Sequence, residues 1–203
     1  MIRCVDRIAT GEMTLFTTTS GPVYHMESDL YIPGNVIYTD LHSIKRSNGT
    51  GSQIIAGSRT QFGYKEGTGT AAVFNNIYGF TQISSTQIIV SEFMNKCLRL
   101  VDRVSGKTSQ FAGQCTKQGY QDGSPALFLY PKSVIKDVKK PDQLIVSDTG
   151  NKALRSVDVK TTDVNTLVKA DVSFVSIYQE QQSGDLFLIA GNQIFRYMYR
   201  EKK

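Results

Sequence analysis

Tryptophan is absent from the 203 residues, and histidine occurs only twice, at His25 and His42. For either imidazole to serve as a zinc ligand or general base, a set of partners from neighbouring segments would be needed, so ordinary structural roles are expected for both. No apolar run is long enough to span a bilayer, which excludes membrane insertion by a helix. The opening residues Met1–Arg7 lack the apolar core of a secretory signal. Taken literally, the chain is soluble and not exported, but the repeat register below gives a reason not to take its start literally. No glycine-rich phosphate loop leads from a strand into a helix, and no nucleophile elbow occurs. The expectation is a non-enzymatic chain with no cofactor and no metal.

What is present is turn-forming and aromatic: 17 glycines, 10 tyrosines and 10 phenylalanines, with 40% hydrophobic and 20% charged residues. That balance belongs to a folded globular domain and leans towards all-β. The net charge of +5 permits attraction to nucleic acid or acidic glycans without requiring it. Lysine and arginine are scattered, and the one dense basic run, Arg200–Lys203, reads as a solvated tail.

The strongest signal is an internal repeat. Ile55-Ala56-Gly57 matches Phe111-Ala112-Gly113, 56 residues on. At the same offset Gly63-Tyr64-Lys65-Glu66-Gly67 matches Gly119-Tyr120-Gln121-Asp122-Gly123, and Ile89–Glu92 matches Ile145–Asp148. Asn95-Lys96, Leu98-Arg99 and Val101-Asp102 return as Asn151-Lys152, Leu154-Arg155 and Val157-Asp158, so the period is read as gapless. The middle unit holds four short strand-like runs, Tyr78–Ile83, Gln87–Ser91, Cys97–Asp102 and Thr108–Ala112. Four short antiparallel strands, repeated, describe a propeller blade, and radial stacking buries the faces that one blade cannot bury alone. The fold class is therefore an all-β propeller.

These motifs resemble the NHL-repeat family. Gly119–Gly123, Ala126-Leu127-Phe128-Leu129-Tyr130-Pro131, Asp148, Asn151 and Leu154–Asp158 follow the family's order of a Gly-x-x-Asp-Gly turn, Ala-x-Phe-x-x-Pro, Asp, Asn and an Ile-Arg-x-Asp strand. The preceding unit departs from it at Glu66 and Glu92 and has no proline after Phe74. The resemblance implies four-stranded blades across a single domain: a partial blade at 1–20, blades at about 21–58, 59–115 and 116–171, and a last, incomplete blade at 172–200. Cys4 falls in the partial blade as a small core residue, and Thr14–Thr18 resembles a fourth strand. The chain is expected to be the C-terminal portion of a six-bladed propeller. The rival arrangement is five units closed by pairing between the Thr14 and Ile194 strands. Peptidyl-hydroxyglycine amidating lyases share an NHL-like propeller but carry a multi-histidine zinc site, which two histidines do not supply, so a metal-dependent propeller enzyme stands as the second alternative, after a binding scaffold and an intracellular RNA-binding propeller.

Cys97 opens the third strand of its blade and Cys115 follows the fourth, almost opposite each other across the turn centred on Ser105-Gly106. The equivalent positions in the next blade are Ala153 and Asp171, so the two cysteines occur together or not at all. A Cys97–Cys115 disulfide is expected, and with it an extracellular or secretory-pathway setting; two reduced thiols would place the chain in the cytoplasm.

Asp40, Glu92 and Asp148 end equivalent second strands and are expected to anchor the following loops by accepting backbone N–H bonds, in preference to holding Ca²⁺. The loops from second to third strand and from blade to blade emerge on one face. They carry Arg59, Lys65, Lys96, Lys117, Lys132 and Lys152, interleaved with Tyr64, Phe93 and Tyr120. These nine residues form the candidate binding face. A protein partner is the leading expectation; RNA or an acidic glycan suits the same residues, and some intracellular NHL propellers bind RNA there.

Overall fold

The computed structural model describes residues 16, 17, 19 and 21–198. Its strands form four antiparallel sheets, each built in chain order. Blade 1 comprises β1 (Met26–Ser28), β2 (Val36–Asp40), β3 (Ser43–Ser47) and β4 (Ser52–Gly57). Blade 2 comprises β5 (Ile77–Gln82), β6 (Gln87–Glu92), β7 (Cys97–Asp102) and β8 (Thr108–Ala112). Blade 3 comprises β9 (Pro131–Lys136), β10 (Gln143–Asp148), β11 (Ala153–Asp158) and β12 (Val164–Lys169). Blade 4 has β13 (Ser176–Gln179), β14 (Leu186–Ala190) and β15 (Gln193–Tyr197). The helical content of the described residues is two single 3₁₀ turns, Gly69–Ala71 and Thr149–Asn151. The fold is an all-β arrangement of four propeller blades. Cys4 and most of the expected partial blade, Thr14 included, lie outside the described residues.

Alternation along each second strand builds the core. Successive side chains of a strand point to opposite faces, and a blade is covered on both, so β6 carries three consecutive apolar residues, Ile88, Ile89 and Val90. Ile88 and Val90 pack with Ile37, Ile44 and Ala56 of blade 1, whereas Ile89 packs with Val134, Leu144 and Val146 of blade 3. Blade 3 repeats the division: Leu144 and Val146 face blade 2, and Ile145 faces Leu186 and Leu188 of blade 4. All of these side chains are buried.

The repeat is not gapless. Phe74 and Phe128 fill equivalent places between blades, yet they lie 54 residues apart. The first strands keep that spacing, since Phe80 pairs with Val90 just as Val134 pairs with Val146. Two extra residues enter blade 2 at the Gly69–Ala71 turn, and blade 3 restores them in its longer β9–β10 turn. Gly57 and Gly113 show why the aromatic ring fixes the join. Each has positive φ (+90° and +80°), and a Cβ there would meet the ring of Phe74 at 2.8 Å or of Phe128 at 2.6 Å. Only glycine suits both the backbone and the space.

Polar side chains tie the blades together along the lower rim. Gln82 donates to the Ser28 carbonyl (2.9 Å) and accepts from Leu30 N–H (3.1 Å), and Arg103 reaches across to Asp29 (2.5 Å). Gln179 does the same for blades 3 and 4, donating to Asp137 (3.0 Å) and accepting from Val138 N–H (2.9 Å). At the upper rim Cys97 and Cys115 are disulfide-bonded, with Cα atoms 4.9 Å apart, closing the mouth of the β7–β8 hairpin. The bond belongs to an oxidising environment.

Alkylation of denatured protein under oxidising conditions is expected to modify one of the three cysteines, and all three after reduction. Replacing both Cys97 and Cys115 by serine should lower stability by about 3 kcal/mol, the loop-entropy figure for a bridge of this span, measured by urea unfolding.

Candidate functional site

The upper rim carries the loops between second and third strands and those between blades. Its framework is a buried arginine–carboxylate latch repeated in blades 2 and 3. Arg99 is fully buried and donates to the Val73 carbonyl (2.9 Å), the Lys65 carbonyl (3.0 Å), Thr108 Oγ1 (2.7 Å) and Glu92 (3.3 Å). Glu92 in turn accepts from Asn75 N–H (2.9 Å) and from Asn95 (2.8 Å). In blade 3, Arg155 donates to Leu127 and Gln121 carbonyls (3.3 and 2.8 Å), to Asp122 (2.5 Å) and to Asp148 (2.7 Å). Asp148 accepts from Leu129 N–H (2.8 Å) and Asn151 (2.8 Å). The backbone N–H groups that Glu92 and Asp148 accept belong to the linking loops before β5 and β9, not to the loops after the second strands as expected; those are held through the Asn95 and Asn151 side chains. Asp40, the blade 1 counterpart, is salt-bridged to Lys45 (2.6 Å) and lies 3.5 Å from Arg59 Nε.

Burial pushes the Glu92 carboxyl up to about 7, against the opposing pull of Arg99 and its hydrogen bonds, and it raises Asp148 as well. Among the described residues, the one group of three or more His, Cys, Asp or Glu donors converging within 4.8 Å is Glu92, Cys97 and Cys115, and its two sulfurs are spent on the disulfide. The three second-strand carboxylates do not meet. His42 accepts Asn76 N–H through Nδ1 (3.0 Å), and burial lowers its pKa. His25 pairs with Glu27 (3.2 Å).

The nine residues proposed for the binding face separate into two groups. Tyr64 and Tyr120 are lids on the latch: each ring lies 5.1 Å from the guanidinium beneath it, of Arg99 or Arg155, with Phe74 or Phe128 packed on the same cation. Arg59 belongs to the Asp40 pairing, the Lys65 backbone is bound into the latch, and Lys117 bonds Gln114 (2.9 Å). Lys152 is exposed at positive φ (54°).

Phe93, Lys96 and Lys132 form the second group, with three tyrosines outside the nine. Tyr24 stacks on Tyr78 (centroids 4.3 Å apart), Tyr78 contacts Phe93 (4.8 Å), and Phe93 stacks on Tyr130 (4.8 Å). Lys132 Nζ sits 5.1 Å from the Tyr78 ring and 5.3 Å from Phe93, and Lys96 Nζ sits 5.6 Å from Tyr130. The strip crosses three blades. Tyr24, Tyr78 and Lys132 occupy the same first-strand position in successive blades, at the 54-residue spacing. That recurrence was present in the sequence but hidden by the 56-residue offset of the other strands.

No protein-family model matches the chain, and no curated protein sequence matches it. Solved propellers do. The WD40 β-propeller domain of Doa1 superposes with a TM-score of 0.66 at 10% identity, over 95% of this chain and 56% of that one. Streptogramin B lyase gives 0.65 at 14% identity, over 97% and 58%. A chain of the nidogen/laminin complex gives 0.63 at 12% identity, over 93% and 65%. The likeness is one of fold, and the chain spans less than two thirds of each of these structures.

The raised Glu92 carboxyl has a consequence for stability. Between its ordinary 4.5 and about 7 the native protein binds a proton that the unfolded chain does not, so stability falls as pH rises through that window. Glu92→Gln should flatten this slope in urea unfolding measured across the window; an unchanged slope would contradict the assignment.

Proposed function

We propose that the chain is a non-enzymatic binding scaffold of the NHL type, presenting its upper rim to a protein partner in an oxidising, extracytoplasmic setting. The observation that carries this reading is the aromatic–lysine strip laid across three blades, in which Tyr24 is exposed and the other five side chains are half-buried. Aromatic residues are over-represented where proteins bind one another, and lysines beside them supply charge complementarity to an acidic partner surface. The Asp/Glu–Asn–Arg wiring of Glu92-Asn95-Arg99 and Asp148-Asn151-Arg155 supports the NHL assignment, because those are the family's motif positions. The disulfide supports the setting. One structural relative comes from a protein–protein assembly, the nidogen/laminin complex, and another is a lyase. The binding reading is preferred over catalysis because both histidines are held in structural contacts.

A photo-crosslinker placed at Lys152 on the upper rim should trap a discrete protein adduct that resists nuclease. The same group at Lys160, in the exposed β11–β12 turn of the lower rim, should not. Adducts of equal yield from both positions, or nuclease-sensitive adducts from the upper one, would overturn the reading; the latter would point to RNA.

A further inference from the structure

The strip has features that bear on what it recognises. Its rings lie 4.3–4.8 Å from one another, so the inner rings, Tyr78 and Phe93, each have ring neighbours on two sides, while Tyr24 and Tyr130 at the ends have one each. A nucleobase or sugar would have to open the row to insert between its rings. Ring edges and ammonium groups remain. The edge of an aromatic ring is the positive part of its quadrupole, so edges and ammonium groups present the same electrostatic sign. Neither Lys96 nor Lys132 has a carboxylate partner among the described residues: Lys96 Nζ donates to the Met94 carbonyl (3.2 Å), and both ammonium groups lie by the rings. The nearby acidic groups are already engaged, Glu92 by Arg99, Asp148 by Arg155, and Glu66 by Gln110 N–H (2.8 Å).

Tyr130 and Lys96 both sit at positive φ, 55° and 58°, as do their repeat counterparts Asn76 and Lys152, so the blade backbone sets these two positions. Both residues deliver their side chains to the strip, Tyr130 against Phe93 and Lys96 beside Tyr130.

We infer that the strip formed by Tyr24, Tyr78, Phe93, Tyr130, Lys96 and Lys132 is a recognition site for an acidic peptide segment of a protein partner. Carboxylates of an extended chain would lie between the ammonium groups and along the ring edges. Two ammonium groups match a segment with a few spaced Asp or Glu side chains better than a polyanion with a charge on every unit. The inference rests on the reading of the upper rim as the binding face.

The test uses the oxidised full chain and four fluorescent probes followed by anisotropy: a peptide of alternating Glu and Leu, the same peptide with Gln for Glu, oligouridylate, and a heparin oligosaccharide. The Glu peptide should bind about tenfold or more tightly than the Gln peptide. Lys96→Glu with Lys132→Glu should abolish that preference, and Phe93→Leu should weaken it, while unfolding midpoints stay unchanged. Lys117→Glu with Lys152→Glu, off the strip on the same rim, reports on the rest of the candidate binding face and should weaken binding less than the Lys96/Lys132 pair does. Equal binding of the Glu and Gln peptides, preferential binding of either polyanion, or no binding of the Glu peptide overturns the inference. Loss of binding only in the Lys117/Lys152 variant also overturns it but keeps the upper rim as the binding face. Binding untouched by either pair removes both.

Discussion

A guanidinium buried beneath the upper rim organises much of what surrounds it. In blades 2 and 3 the third strand supplies an arginine with no solvent exposure, and the second strand ends in a carboxylate that meets it. Two buried charges are costly to desolvate, and such a pair persists when further hydrogen bonds satisfy its remaining valences. Here those bonds come from the blade-linking loop: the carbonyls of Lys65 and Val73 in one blade, of Gln121 and Leu127 in the next. The latch therefore holds in place a linking segment whose regular structure is limited to isolated bridges and, in blade 2, one 3₁₀ turn. Aromatic rings above and below the guanidinium complete its surroundings, which accounts for Tyr64 and Tyr120 at equivalent positions.

The chemistry of the rim follows from that inward use of carboxylates. Glu92 and Asp148 point into the latch and Asp40 meets Lys45, while Lys65, Lys117 and Lys152 are exposed and Lys96 and Lys132 lie half-buried beside the rings. Phe93 and Lys96 emerge from the same loop that carries the latch asparagine, Asn95, so its orientation is fixed from below. Blade 2 has a second brace that blade 3 lacks, since the disulfide stands where blade 3 has Ala153 and Asp171. The central blade of the aromatic strip is thus pinned by both a covalent bond and a buried ion pair.

Much of this was legible in the sequence, and the exceptions have a physical cause. The Asn95/Asn151 and Arg99/Arg155 recurrences sit on strands whose lengths match in both blades, so a single offset reveals them. Their carboxylate partners were legible for the same reason, and the cysteine pair because Cys97 and Cys115 face each other across the Ser105-Gly106 turn. The first strands were not, because two residues move from the loop before β5 to the turn after β9, and the correct spacing there is 54 rather than 56. Tyr24, Tyr78 and Lys132 consequently looked unrelated. Residue type and loop position placed Tyr64, Tyr120 and Arg59 on the candidate binding face but could not show the contacts that each also makes within the fold, with Arg99, Arg155 and Asp40.

Hydrogen–deuterium exchange on an Arg99→Met variant tests the latch most directly, since methionine keeps the apolar stem and removes the donors. The account predicts that protection is lost first and most strongly in the linking loop of blade 2, at 59–76, while β10 and β11 of blade 3 keep their parental exchange rates. Protection lost evenly over all blades, or a loop as protected as in the parent, would contradict it.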